Sequence, residues 1–192
     1  MNLPNKISTA RICLIPLVVF FYLASFIPFS KIIAAFVFAV ASLTDMIDGK
    51  IARSRNLITT LGKFLDSIAD KLLVVAGLVL ICFDIVLQPY GIIMAIIIIS
   101  RELIISAFRQ IAAANNFIMA ADMWGKVKAT VQFIAVMLFM IVAGLRDLSV
   151  TGTIYSILEI TSYVCLIVAT ILTIISALHY MIKNKNLFKQ EN

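Results

Sequence analysis

Apolar residues form six long stretches along the chain, and short polar or turn-forming segments separate them. The stretches cover approximately residues 9–29, 32–52, 62–83, 91–114, 127–145 and 153–181. Most reach the roughly 20 mainly apolar residues that a helix needs to cross a bilayer. The pattern therefore predicts six transmembrane helices.

The overall composition agrees with this pattern. Hydrophobic residues make up 62% of the 192 residues, and charged residues make up only 14%. A soluble globular domain is nearer to about half apolar and a quarter charged. No segment resembles a linker between domains. We therefore expect an all-α integral membrane protein that forms a single domain over residues 1–192.

The basic residues are distributed unevenly between the two predicted membrane faces. Of the sixteen Lys and Arg residues, only Lys31 and Arg146 fall clearly at the ends that we expect to lie outside. By the positive-inside rule, both termini are then cytoplasmic. The net charge of +6 is explained by this topology and by the attraction of basic residues to anionic lipid headgroups. We therefore expect membrane lipids, and no nucleic acid, as partners.

Four aspartates stand close together in this apolar sequence: Asp45, Asp48, Asp66 and Asp70. Ionised carboxylates are costly in a membrane unless cations offset them. The first pair is three residues apart and the second pair four, so each pair lies on one helix face. The short connection makes helices 2 and 3 antiparallel neighbours, which allows the pairs to face each other. We expect a metal site for two divalent ions at the cytoplasmic ends of these helices, and carboxylates favour Mg²⁺, Mn²⁺ or Ca²⁺.

An alternative is that the aspartates are only helix caps or solvated interfacial residues. This would account for Asp66, because a helix N-terminus favours a negative charge. It does not account for Asp45 and Asp48, which follow an apolar run at the C-terminal end of a predicted helix.

The segment from Asp45 to Asp70 reads D-x2-D-G-x2-A-R-x8-G-x3-D-x3-D. This string resembles the signature of the CDP-alcohol phosphotransferases. The eight fixed positions all agree, and they are Asp45, Asp48, Gly49, Ala52, Arg53, Gly62, Asp66 and Asp70. The resemblance implies a six-helix membrane fold with cytoplasmic termini, which usually forms homodimers. It also implies transfer of a phosphatidyl or similar group from a CDP-linked donor to an alcohol, with release of CMP.

The resemblance implies roles for individual residues. Asp45, Asp48, Asp66 and Asp70 would bind two Mg²⁺ or Mn²⁺ ions, and Asp70 would also act as the general base. Gly49, Arg53 and Thr59 would contact the cytidine nucleotide. Two ions held close together stabilise the entering and leaving oxygens of an in-line phosphoryl displacement.

The opening Leu3–Pro16 and the segment Gly125–Gln132 are both similar to the phosphatidylglycerophosphate synthase branch of this family. By resemblance, Asn5 and Ser8 would lie near the donor, CDP-diacylglycerol. Ser8 would also serve as a helix cap. The branch implies glycerol 3-phosphate as the acceptor and a multi-pass protein of a bacterial inner or plasma membrane.

We expect Arg109, Lys126 and Lys128 to bind the phosphate of the acceptor, since a doubly charged substrate needs cations. Ordinary lysines that snorkel to the interface are the alternative for Lys126 and Lys128. Arg101 and Glu102 stand in the middle of predicted helix 4, where a mutual salt link without chemistry is one explanation.

Two other functions remain open from the residues. The same chemistry could use inositol phosphate, serine or phosphatidylglycerol as the acceptor. A cation carrier would also need carboxylates within a membrane protein. Against a carrier, the aspartates cluster near one face, whereas a transport path needs groups near the midplane.

Overall fold

A computed structural model describes residues 3–54, 60–83, 89–114 and 123–183, with side chains for 9–44, 68–83, 89–110, 112 and 125–182. The chain forms six helices within these ranges. They are α1 (Leu3–Leu23), α2 (Ser30–Ser54), α3 (Thr60–Cys82), α4 (Tyr90–Ala114), α5 (Met123–Asp147) and α6 (Thr153–Lys183). The prediction of an all-α fold is confirmed.

The first helix begins and ends earlier than the sequence pattern predicts. It ends at Leu23, six residues before the expected boundary, and the chain then turns. The Ile27 amide donates to the Ala24 carbonyl at 3.0 Å. Phe29 has a φ of 63°, in the left-handed region, and Pro28 has no amide hydrogen to continue a helix. Apolar character alone extended the prediction through this turn.

Within the part of the chain whose side chains are described, three helices are long and apolar enough to cross a membrane, over Tyr90–Gln110, Gly125–Asp147 and Thr153–Ile182. Shorter apolar helical stretches cover Thr9–Leu23 and Ser30–Thr44. Large apolar side chains also point away from the bundle, and Phe26 and Ile154 are 78% and 76% exposed. Apolar surface of this extent suits contact with lipid rather than water.

The interior of the bundle is closely packed. Phe38, Leu78, Ile98, Met140 and Leu166 are almost fully buried in one cluster. Helix α1 packs against α2 and α3, α5 packs against α6 and α2, and α4 contacts α6 and α3. This arrangement places α3, α4 and α5 around a common space.

Polar side chains on α6 are buried in the same interior. Thr170 donates to the Leu166 carbonyl at 2.8 Å, and Ser176 donates to the Thr173 carbonyl at 3.1 Å. A hydroxyl that donates to a carbonyl of its own helix needs no other acceptor for its proton, which is how such residues are tolerated in apolar bundles. The Ser176 oxygen can still accept a hydrogen bond from another helix.

The start of α2 and the end of α5 meet at one end of the bundle. Lys31 Nζ lies 3.1 Å from an Asp147 carboxylate oxygen and 5.4 Å from the centre of the Tyr22 ring. The beginning of α5, with Lys126 and Lys128, therefore lies at the opposite end of the bundle.

Candidate active site

A cavity of about 290 Å³ lies among α3, α4 and α5. Its charged lining side chains are Asp70, Lys71, Arg101, Glu102, Arg109, Lys126 and Lys128. Five of these described side chains are basic and two are acidic, so this part of the lining carries three more positive than negative charges. A cavity with this surplus favours an anionic ligand, because the ligand offsets the repulsion among the cations.

Asp70 brings a carboxylate to this cavity from the third turn of α3. Its side chain is partly buried, and it stands on the same helix face as Val74, which also borders the cavity. A partly buried carboxylate beside open space can receive a proton from a bound hydroxyl. The cavity therefore joins a possible proton acceptor to a group of cations.

The expected acceptor-binding residues are brought together with Asp70. Arg109, Lys126 and Lys128 all line the same cavity. Arg109 and Lys126 are exposed, and the Arg109 guanidinium lies 5.6 Å from the centre of the Tyr180 ring. Contact with an aromatic face holds a guanidinium without neutralising it, so Arg109 remains able to bind an anion.

Lys128 differs from the other two cations because it is buried and already paired. Its side chain is 2% exposed and forms an ion pair with Glu102. This burial rules out the alternative of a lysine that snorkels to the surface. Lys126 is exposed, which is compatible with that alternative.

Glu102 links Lys128 to Arg101. A terminal nitrogen of Arg101 lies 3.8 Å from a Glu102 oxygen, and the other terminal nitrogen donates to Ser176 at 2.8 Å. The link between Arg101 and Glu102 was one of the explanations open from the sequence. Adjacency in sequence suggested that pair, but nothing in the sequence identified Lys128 and Ser176 as further partners.

Arg11 is a buried basic residue whose contact the sequence does not reveal. It is 1% exposed, and its Nε donates to the Ala41 carbonyl at 3.2 Å. Thr44 donates to the same carbonyl at 2.8 Å. The bond from Arg11 ties α1 to α2 one turn before Asp45, which is the start of the aspartate motif.

Most of the expected metal and nucleotide residues lie outside the described side chains. For seven of them the structure describes the helix but not the side chain: Asn5 and Ser8 in α1, Asp45, Asp48, Gly49 and Arg53 in α2, and Asp66 in α3. Thr59 lies outside the described residues altogether. Among the described residues, no three His, Cys, Asp or Glu side chains form a group that could hold a metal ion. Asp70 is the one motif aspartate within that set.

Comparison with known proteins adds a family to this geometry. Residues 1–175 match the family described as CDP-alcohol phosphatidyltransferase. A Bacillus subtilis protein named CDP-diacylglycerol–glycerol-3-phosphate 3-phosphatidyltransferase is 38% identical, over 100% of this chain and 99% of its own. Proteins of the same name from Rickettsia bellii and Haemophilus influenzae are 36% and 38% identical, over 97% and 94% of this chain and 97% and 91% of their own.

The match covers most of the chain, and the similarity to these relatives extends over nearly the whole of both proteins. The signature between Asp45 and Asp70, the helical bundle and the cavity beside Asp70 agree with it. The chain belongs to the CDP-alcohol phosphatidyltransferase family.

Proposed function

We propose that this protein transfers the phosphatidyl group of CDP-diacylglycerol to glycerol 3-phosphate, giving phosphatidylglycerophosphate and CMP. The observation that carries the proposal is that Asp70, Arg109 and Lys126 line the same cavity. An acceptor that carries both a hydroxyl and a phosphate needs these two kinds of group at once. The names of the full-length relatives support the same donor and acceptor.

In this reaction an acceptor hydroxyl oxygen forms a bond to the phosphorus of the phosphatidyl group. The bond from that phosphorus to the oxygen of CMP breaks, and CMP leaves with the bonding electrons. The hydroxyl proton passes to Asp70, which we assign as the general base. Its position on the cavity wall supports this role, because a base must reach the proton that it removes.

We infer that Asp45, Asp48, Asp66 and Asp70 hold two divalent ions, Mg²⁺ or Mn²⁺. The donor set fits, because all four are carboxylates and α2 contacts α3, and hard divalent cations prefer oxygen ligands. Such ions, when bound, neutralise charge on the transferred phosphate and its leaving group. The hydrogen bond from Arg11 to Ala41 helps to fix the part of α2 that precedes these aspartates.

The remaining assignments concern substrate binding. Arg109, Lys126 and Lys128 would bind the acceptor phosphate, with Lys128 acting from within its ion pair with Glu102. Asn5, Ser8, Gly49, Arg53 and Thr59 would bind CDP-diacylglycerol. The family signature supports the second set.

We also propose six membrane spans, cytoplasmic termini and a location in a bacterial inner or plasma membrane. The three long apolar helices support a membrane location. The pairing of Lys31 with Asp147 brings the start of α2 and the end of α5 together at the end of the bundle opposite the basic cavity. We assign that end to the outer face of the membrane. The aspartate site would then face the cytoplasm, where a water-soluble acceptor is available. A homodimer is part of the same proposal.

The test is release of CMP from CDP-diacylglycerol by the purified protein in detergent with Mg²⁺ or Mn²⁺. Glycerol 3-phosphate, inositol phosphate, serine and phosphatidylglycerol are supplied in parallel. We expect CMP only with glycerol 3-phosphate. Release with a different acceptor would overturn the acceptor assignment and keep the chemistry, whereas no release with any acceptor would favour the cation carrier.

A further inference from the structure

Three buried polar side-chain atoms have no hydrogen-bond partner among the described residues. They are Nε of Arg101 and both amide atoms, Nε2 and Oε1, of Gln132. Both residues border the cavity beside Asp70. Buried polar atoms are nearly always paired, so unpaired atoms confined to one cavity wall indicate a polar occupant of that cavity.

Gln132 stands out because its whole amide is unpaired. The residue is 1% exposed, in the interior of α5, where an unpaired amide destabilises the folded protein. Replacement by an apolar residue of similar size would remove this cost. A group that is costly when the site is empty is useful if a ligand completes its hydrogen bonds.

The position of Gln132 separates it from the exposed cations. It lies six residues, or about 9 Å along the helix, beyond Lys126, and one turn beyond Lys128. Gln132, Lys128, Arg101 and Glu102 form what we call the inner wall of the cavity. Lys128 and Arg101 are both linked to Glu102, so the inner wall has less free positive charge than the region of Arg109 and Lys126. The inner wall suits a neutral polar group, while the exposed cations suit the phosphate.

The amide chemistry selects the kind of neutral group. A carboxamide offers both donors and an acceptor, and a hydroxyl also donates and accepts. A phosphate only accepts at its charged oxygens, so it would leave Oε1 unpaired and facing a negative charge. An alcohol hydroxyl is therefore the better partner for Gln132.

We propose that Gln132 binds the secondary hydroxyl of the acceptor, the hydroxyl that does not react, and so determines the preference for a glycerol phosphate. This inference rests on the proposed function. It makes Gln132 a specificity-determining residue, distinct from the cations that bind the phosphate and from the base that takes the proton.

The test compares glycerol 3-phosphate with 3-hydroxypropyl phosphate, which keeps the primary hydroxyl and the phosphate but lacks the secondary hydroxyl. We expect the unaltered protein to prefer glycerol 3-phosphate in kcat/KM by about 10- to 100-fold. In Gln132→Met this preference should disappear, because kcat/KM falls for glycerol 3-phosphate and stays unchanged for the analogue.

Thermal unfolding without substrate gives an independent measurement. Gln132→Met should unfold at the same temperature as the unaltered protein or higher, since it removes an unpaired buried amide. Thr170→Val is the matched control, because it removes a buried polar group that is bonded to the Leu166 carbonyl and does not border the cavity. It should keep the acceptor preference.

Gln132→Asn provides a second variant, which keeps the amide but shortens the side chain, and it should also lose the preference. Equal use of the two acceptors by the unaltered protein would overturn the inference without any variant. A preference that survives in Gln132→Met would also overturn it. An equal loss of kcat/KM for both acceptors in Gln132→Met would overturn it as well, because such a loss would indicate a contact with the phosphate. Failure of the unaltered protein to use glycerol 3-phosphate, with CMP released only when another alcohol is supplied as the acceptor, would instead refute the proposed function.

Discussion

Two neighbouring regions on α3 and α5 use the same helices in opposite ways. Around Asp70 and Gln132 the helices border a charged cavity. About two turns further along α3 and one turn further along α5, Gly77 is packed so closely that an added Cβ would lie 2.7 Å from a Val136 methyl carbon. The open region can accept a substrate because the tight region holds its walls in place, and a site on rigid helices keeps its geometry.

The largest expected effect is on the charged side of this comparison. Asp70→Asn should lower kcat for CMP release by about 10²- to 10⁴-fold, because an amide cannot accept the hydroxyl proton. Its thermal unfolding should match that of the unaltered protein. A variant that keeps most of its activity would show that the carboxylate on the cavity wall is not the base.

Glu102→Gln tests whether the inner wall of the cavity depends on its carboxylate. The change leaves the buried Lys128 and the nearby Arg101 without their shared anion, and should lower the free energy of unfolding by about 3 kcal/mol. Combining it with Lys128→Met should restore part of this loss, since the uncompensated cation is then removed. Equal stability of the single and double variants in denaturant unfolding would argue against the ion pair.

Gly77→Ala tests the tight region. The new methyl group would also lie 2.9 Å from a Phe38 ring carbon, so the neighbours must shift, at a cost of about 1–3 kcal/mol. Gly125→Ala is the control, because no atom of the described residues, apart from its chain neighbours and the surrounding helix backbone, lies within 4 Å of its added Cβ. On α5 that change should stabilise the helix by up to about 1 kcal/mol. Similar unfolding temperatures for the two variants would contradict the packing difference.

The smallest effect is expected at the far end of the bundle. Asp147→Asn removes the ion pair with Lys31, whose carboxylate partner is half exposed. Exposed pairs of this kind contribute less than about 1 kcal/mol. A loss of unfolding free energy larger than that of Glu102→Gln would show that this end contributes more to stability than the cavity wall does.

The sequence predicted the helices and the aspartate motif because both depend on local order along the chain. Apolar runs predict helices in a membrane protein, and fixed spacing places Asp45 and Asp48 on one face of α2. It did not predict the end of α1 at Leu23, because apolar residues continue into the turn.

The contacts inside the cavity could not be predicted in the same way. Lys128 on α5 forms an ion pair with Glu102 on α4. Gln132 has no hydrogen-bond partner among the described residues, which depends on how α3 and α4 pack beside it. Partner choice between helices depends on packing that one sequence does not show. The sequence predicts Arg109, Lys126 and Asp70 in the site, whereas it marks Gln132 only as the last residue of the segment Gly125–Gln132.

The most direct test of the cavity as the acceptor site is the KM of each substrate in Arg109→Gln. The account predicts a KM for glycerol 3-phosphate that rises by about 10-fold or more, since a charge-assisted phosphate contact is lost, with an unchanged KM for CDP-diacylglycerol. Arg146→Gln, at the opposite end of α5, should change neither value. An unchanged KM for glycerol 3-phosphate in Arg109→Gln, or a rise only for CDP-diacylglycerol, would contradict the account.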